Sequence, residues 1–132
     1  MTINTVTHRR LIRQFAALGP YLRELQSTET QYFFDSLSVC VSAKPEPELR
    51  EFWGWWLFLT TQDGQHFEFH YHLGLYEADG HWVEKPIPKT HQAEVARTLR
   101  DFYDKLDGCL SELSLSMSSA TSLGTDHLLS SV

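Results

Sequence analysis

The chain has 132 residues, and 11 Lys and Arg against 17 Asp and Glu leave a formal net charge of −6. A phosphate backbone repels such a domain at long range, which excludes a generic nucleic-acid binder and leaves room only for a local basic patch. The length suits one domain with a real core, and two distant cysteines, Cys40 and Cys109, supply neither a disulfide framework nor a closed zinc site, so a reducing compartment is expected.

The opening residues MTINTVTHRR lack the apolar stretch and cleavage site of a signal peptide, which points to a cytoplasmic protein. From Thr7 to Leu18 the residues Leu11, Ile12, Phe15, Ala16 and Leu18 form one stripe opposite Arg9, Arg10, Arg13 and Gln14, which predicts an amphipathic helix. Gly19 and Pro20 stop it. Gln31 to Val41 alternates as a strand, with Phe33, Leu37, Val39 and Val41 on one face, Asp35 interrupting that face, and Tyr32, Phe34 and Cys40 opposite. The stretch AKPEPE is a solvated connection.

Glu51 to Thr61 is the clearest strand, and both of its faces are apolar: Phe52, Gly54, Trp56 and Phe58 on one, Trp53, Trp55, Leu57 and Leu59 on the other. Its longest apolar run, Phe52 to Leu59, is far shorter than the ~20 residues that span a bilayer. The Asp63-Gly64 turn joins it to a strand in which Phe67, Phe69, Tyr71, Leu73 and Leu75 alternate with His66, Glu68, His70 and His72, which predicts a hairpin. The turn at Ala78-Asp79-Gly80 leads to a short strand over His81 to Glu84, ended by Pro86 and Pro88. Thr90 is the expected N-cap of a long helix with Val95, Leu99, Phe102, Leu106, Cys109, Leu110 and Leu113 on its apolar stripe. Beyond Met117 the Ser-rich sequence has no period and is expected to fray, so residues 1–116 read as one domain and 117–132 as a tail. The expected fold is α+β: an antiparallel sheet of about four strands with helices packed mainly on one face and the other face partly open.

No nucleophile elbow, P-loop, dinucleotide fingerprint or HExxH motif occurs, so catalysis has little support. Four alternate positions, His66, Glu68, His70 and His72, could be zinc ligands, with His81 or His91 adding one. Same-face neighbours in a strand stand ~7 Å apart, however, and the polar half of an amphipathic strand needs no other explanation. A small metal-dependent enzyme or metal sensor is therefore the alternative reading rather than the main one. Cys40 and Cys109 both read as buried thiols acting as small hydrophobes. The cluster Arg50-Glu51-Phe52-Trp53-Gly54-Trp55-Trp56 is more informative, because one face of this strand must find cover. A second layer of the chain or a partner protein would serve, and Trp, Tyr and Arg are the residues that dominate interface hot spots. Arg9, Arg10, Arg13 and Arg23 form a basic start that would suit an acidic partner or simply an ordinary solvated face.

The strings FAALGPYLRE (15–24), YFFDSLSVCVSAKPEPELREFWGWW (32–56) and LGLYEADGHW (73–82) resemble the Crl family, the sigma-factor-binding proteins of enteric and related gamma-proteobacteria, and the likeness runs from about Arg10 to Leu113. The resemblance implies a cytoplasmic, monomeric transcription activator that needs no cofactor and binds no promoter DNA itself. Such a protein binds domain 2 of the stationary-phase sigma factor and favours its assembly with core RNA polymerase, making a weaker contact with the clamp of the β′ subunit. Carried over by position, the sigma-contacting residues are Tyr21, Asp35, Arg50, Phe52, Trp55 and Trp82. Arg50 would meet an acidic motif in a bidentate, charge-assisted contact. Phe52 and Trp55 differ in parity, which suggests that Phe52 lies on the loop before the strand. Ser36 stands where family members carry Cys, and the first eight residues and the Ser-rich end depart from the family pattern, as do the strand histidines.

Overall fold

The computed structural model describes residues 6–119. The element order is α1 (His8–Ala16), β1 (Gln31–Cys40), β2 (Phe52–Thr61), β3 (His66–Tyr76), β4 (Trp82–Glu84), α2 (Lys89–Glu112) and β5 (Ser116–Ser119), with single 3-10 turns at Glu24–Gln26 and Pro47–Leu49. Strands β1 to β4 form an antiparallel meander in chain order. The α+β class holds, but the sheet is mixed rather than antiparallel: β5 adds a fifth strand, parallel to the start of β3. Met117, Ser118 and Ser119, which read as tail in the sequence, thus belong to the sheet. A four-residue strand carrying three serines is too short to show a period in the sequence, and its pairing joins main-chain bonds to Met117 on the core and Ser116 and Ser118 on His66; residues 120–132 lie outside the described part.

Both helices pack on one face. Tyr32 and Phe34 of β1, Trp55, Leu57 and Leu59 of β2, and Phe67, Phe69 and Tyr71 of β3 are buried there against Leu11 and Phe15 of α1 and Val95, Leu99, Phe102, Leu106 and Leu110 of α2. Period 2 on the strands and period 3.6 on the helices meet in one aromatic core, where the Phe15 ring lies edge-on to Tyr32 and Phe34, 5.1 and 5.5 Å away. Thr7 caps α1, its Oγ1 accepting from the Arg10 amide at 3.1 Å, and Gly19 takes a positive φ of 141° after the helix, as its position predicts. Thr90 is not the cap of α2. Pro88 holds that position, its fixed φ suiting the helix entrance, and Thr90 sits in the first turn.

The β1 pattern also shifts. A bulge between Leu37 and Val39 puts two residues opposite one of β2, so Val39 pairs with Trp53 and packs with the helices, while Leu37 stays on the open face. The same slip leaves Cys40 exposed at the strand end, whereas Cys109 is buried on α2. Burial is also what raises the Cys109 thiol above the ordinary range, with Glu112 adding to it.

Gly54 and Gly74 face each other across β2 and β3. A Cβ on Gly54 would collide with the Ser36 carbonyl and crowd the Trp82 ring at 3.1 Å; one on Gly74 would collide with the Val83 carbonyl. Gly54 therefore leaves room for the indole, and Gly74 for the close approach of the β4 main chain. Gly54→Ala is expected to destabilise the fold by about 1–3 kcal/mol through overpacking. Gly108→Ala, on the exposed side of α2 with open space around it, should instead stabilise by about 0.5–1 kcal/mol. Urea unfolding of the two variants checks both signs.

Candidate functional site

The face of the sheet away from the helices has no covering layer among the described residues, and its side chains order themselves in cross-strand rows. Phe33, Phe58 and His70 form one row: Phe33 and Phe58 have ring centroids 5.0 Å apart, and Phe58 stacks on His70 at 5.0 Å. Asp35, Trp56 and His72 form the next, with Trp56 stacked on His72 at 5.2 Å. Trp82 reaches in from β4, stacks on Trp56 at 4.9 Å and meets Tyr76 edge-on at 5.2 Å. Trp56, Phe58 and Trp82 all remain partly exposed.

Asp35 is the pivot of this face. It is 5% exposed, and each oxygen of its carboxylate is used: Oδ1 accepts from Nε and Nη2 of Arg23, both at 2.6 Å, and Oδ2 accepts from Trp82 Nε1 at 3.0 Å. Main-chain bonds aim the arginine. The Arg23 amide donates to the Phe33 carbonyl at 2.8 Å and the Asp35 amide to the Tyr21 carbonyl at 3.0 Å, so residues 21–23 lie along the β1 edge like a short extra strand. Two sequence-distant groups, from the first loop and from β4, are thereby fixed on one carboxylate.

The six residues carried over from the family fall into three places. Asp35 and Trp82 are bonded to each other on the open face, and Phe52 lies on the same side as the first residue of β2, paired with Cys40 and Tyr76. Phe52 is thus within the strand and not on the preceding loop; the parity conflict is resolved by Trp55 instead. Trp55 is 0% exposed on the helix face, its Nε1 donating to Thr98 Oγ1 at 3.1 Å, so its place is in the core beneath the open face. Tyr21 lies on that side as well, stacked on Trp55 at 5.9 Å and against Phe102 at 4.9 Å. Arg50 stands at the margin, where Nε donates to the Pro45 carbonyl and Nη2 to the Ala43 carbonyl, both at 3.0 Å, which folds the proline-rich loop back on itself. Next to it Glu51 Oε2 accepts from the Ala78 amide at 3.1 Å and ties the start of β2 to the β3–β4 turn. Exposed Leu37, Val41 and Leu49 complete this margin.

Sequence reasoning did not single out Arg23 as the partner of Asp35, nor Trp56 as the central ring of the face. Trp56 shares parity with Phe52 and could have been found; the Arg23 contact depends on a loop path that no local pattern encodes. The strand histidines are spread out rather than convergent. His66 is bonded to Ser116 Oγ at 2.7 Å and Ser118 Oγ at 3.1 Å, His70 and His72 lie on aromatic rings, and His72 Nδ1 is 3.2 Å from Glu84. Among the described residues no three His, Cys, Asp or Glu are grouped to share a metal ion, and no helix is long and apolar enough to cross a membrane.

Residues 1–127 match the family model described as the sigma factor-binding transcriptional regulator Crl. The sigma factor-binding protein Crl of Photobacterium profundum is 50% identical over 108 residues, covering 80% of either chain. Those of Vibrio vulnificus and Vibrio cholerae are 47% identical over 109 residues and 49% over 108, covering 83% and 82% of this chain and 84% and 83% of theirs.

Burial on the Phe58 ring, and next the neighbouring His72, hold the pKa of His70 below the ordinary 6.5. The folded state therefore disfavours the charged form. Its contribution to stability is full above about pH 6.5 and is lost as pH falls below that value, where the unfolded chain binds the extra proton. His70→Phe, which keeps a ring on Phe58, should flatten the loss of urea midpoint between about pH 7.5 and about pH 5 relative to the parent chain. An unchanged difference would place the titrating group elsewhere.

Proposed function

The chain belongs to the Crl family of sigma factor-binding transcriptional regulators, and from that premise we propose that its open sheet face receives domain 2 of the stationary-phase sigma factor and thereby promotes assembly of the holoenzyme with core RNA polymerase. The observation that supports this most is the uncovered row of Trp56, Trp82 and Phe52 beside a carboxylate already held by Arg23. Large, partly exposed rings locked by stacking lose little entropy on binding, and hot spots are built from such anchors. In this reading Trp82 and Phe52 touch the partner, and Asp35 sets the angle of Trp82. Arg50 exchanges its loop carbonyls for an acidic motif, a charge-assisted fork that lysine imitates poorly. Tyr21 and Trp55 support the face from below.

Promotion of assembly needs no catalysis. A protein that touches sigma and the β′ clamp together adds a coupling free energy, typically 1–3 kcal/mol, and by linkage sigma and core together hold it more tightly than sigma alone. The effect is greatest where sigma is scarce. The net charge of −6 fits action through protein contacts rather than on promoter DNA; in this reading the protein acts in the cytoplasm and as a monomer.

Calorimetric titration with the isolated sigma domain 2 tests the assignment. One-to-one binding is expected, with Arg50→Ala and Trp82→Ala each losing at least about tenfold in affinity and Arg50→Lys recovering little of it. Circular dichroism should show all three variants folded. Unchanged affinity in both alanine variants would contradict the proposed face.

A further inference from the structure

We propose that Arg23 is itself a contact residue of the partner-binding face, donating from the free end of its guanidinium to an uncharged carbonyl oxygen of the docked protein. This rests on the assignment of the open face to the sigma factor and adds a residue that position in the family does not supply. A guanidinium is planar and carries its N–H groups in a fixed fork. Its side edge is spent here: Nε donates to Asp35 Oδ1 at 2.6 Å, and Nη2 lies 2.6 Å from the same oxygen. The opposite end, made of Nη1 and the second N–H of Nη2, meets no acceptor among the described residues. That end faces solvent, since the Arg23 side chain is 38% exposed and that of Asp35 only 7%.

The fork is in place before a partner arrives. The Arg23 carbonyl accepts from the Gln26 amide at 3.0 Å and from Ser27 Oγ at 2.9 Å, Ser27 Oγ in turn accepts from the Phe33 amide at 3.0 Å, and the Arg23 amide donates to the Phe33 carbonyl at 2.8 Å. Both ends of the residue are therefore held, the main chain on β1 and the guanidinium on Asp35. Little rotamer freedom is left to lose on binding. Asp35 Oδ2 holds Trp82 Nε1 at 3.0 Å, so the free donors and the indole flank one carboxylate, and a docked main chain can cover both. Charge selects the acceptor. A carboxylate at the free end would meet the charge of Asp35 and, one residue on in the chain, that of Glu24. A carbonyl oxygen meets no such repulsion and still receives a charge-assisted bond. Arg50 is the contrary case, because its present partners are loop carbonyls, so the two arginines read different groups.

Calorimetric titration with sigma domain 2 tests this on the parent chain, Arg23→Lys, Asp35→Asn, Trp82→Phe and the two doubles that join Arg23→Lys to each of the others. Arg23→Lys keeps a cation for Asp35 but loses the fork. It is expected to weaken binding at least about fivefold, alone and on both other backgrounds, with circular dichroism showing the variants folded. A loss that vanishes once Asp35 or Trp82 is replaced would make Arg23 a positioning residue acting through the indole and would overturn the proposal, as would no loss at all. Tighter binding by Asp35→Asn at low salt would assign the acceptor a negative charge and overturn it as well. A parent chain that does not bind the domain would overturn the assignment of the open face, and this proposal with it.

Discussion

A single carboxylate organises the open side of this protein. Asp35 projects from the aromatic rows of the open sheet face, and it is tolerated there, nearly buried, because Arg23 and Trp82 use both of its oxygens. Removing either donor leaves a nearly buried charge short of a partner, so the three side chains stand or fall together. The bonds reach much further than their length suggests. Through Arg23 they hold residues 21–23 on the edge of β1, and through Trp82 they draw β4, a strand of only three residues, over β2 and β3. The paired glycines at 54 and 74 are the condition for this, since a Cβ on Gly54 would crowd the indole and one on Gly74 would collide with the main chain of β4 at Val83.

The two faces of β2 divide the work. Trp55 is closed in the core with Tyr21, Phe102 and the Thr98 hydroxyl, while Trp56, its neighbour in sequence, lies on the open side between His72 and Trp82. The rigid layer beneath allows large rings to remain partly exposed above without collapsing onto one another. That combination, fixed aromatics over a well-packed support, is what a partner-binding face requires and what a mere excess of surface hydrophobicity does not supply. Arg50 and the folded loop beside it add a charged margin whose own hydrogen bonds are to main-chain carbonyls, so a carboxylate from a partner can compete for them.

Much of this was legible in the sequence. The alternation in residues 66–75 and the two apolar faces of residues 52–59 place the hairpin and its faces, because a strand's side chains follow a strict period of 2. The α2 stripe is equally plain. What escaped detection depends on non-local events. The bulge after Leu37 reverses parity, moving Val39 to the core and Cys40 to the surface, and β5 arises from main-chain pairing by residues with no periodic signal. Of the residues carried over by position in the family, Asp35, Trp82, Phe52 and Arg50 lie on the open face or its margin, and the rings of Trp55 and Tyr21 are packed beneath it. Arg23, the closest partner of Asp35, was visible only as one charge in a basic cluster.

In the proposed complex the face bearing Trp82, Trp56 and Phe52, and not the helical side, receives the sigma factor. Hydroxyl-radical footprinting of the complex with sigma domain 2 tests it most directly. Trp82, Trp56 and Phe52 are expected to lose reactivity on binding while exposed positions of α1 and α2 keep theirs; protection confined to the helices, with the three rings as reactive as in the free protein, would contradict this docking.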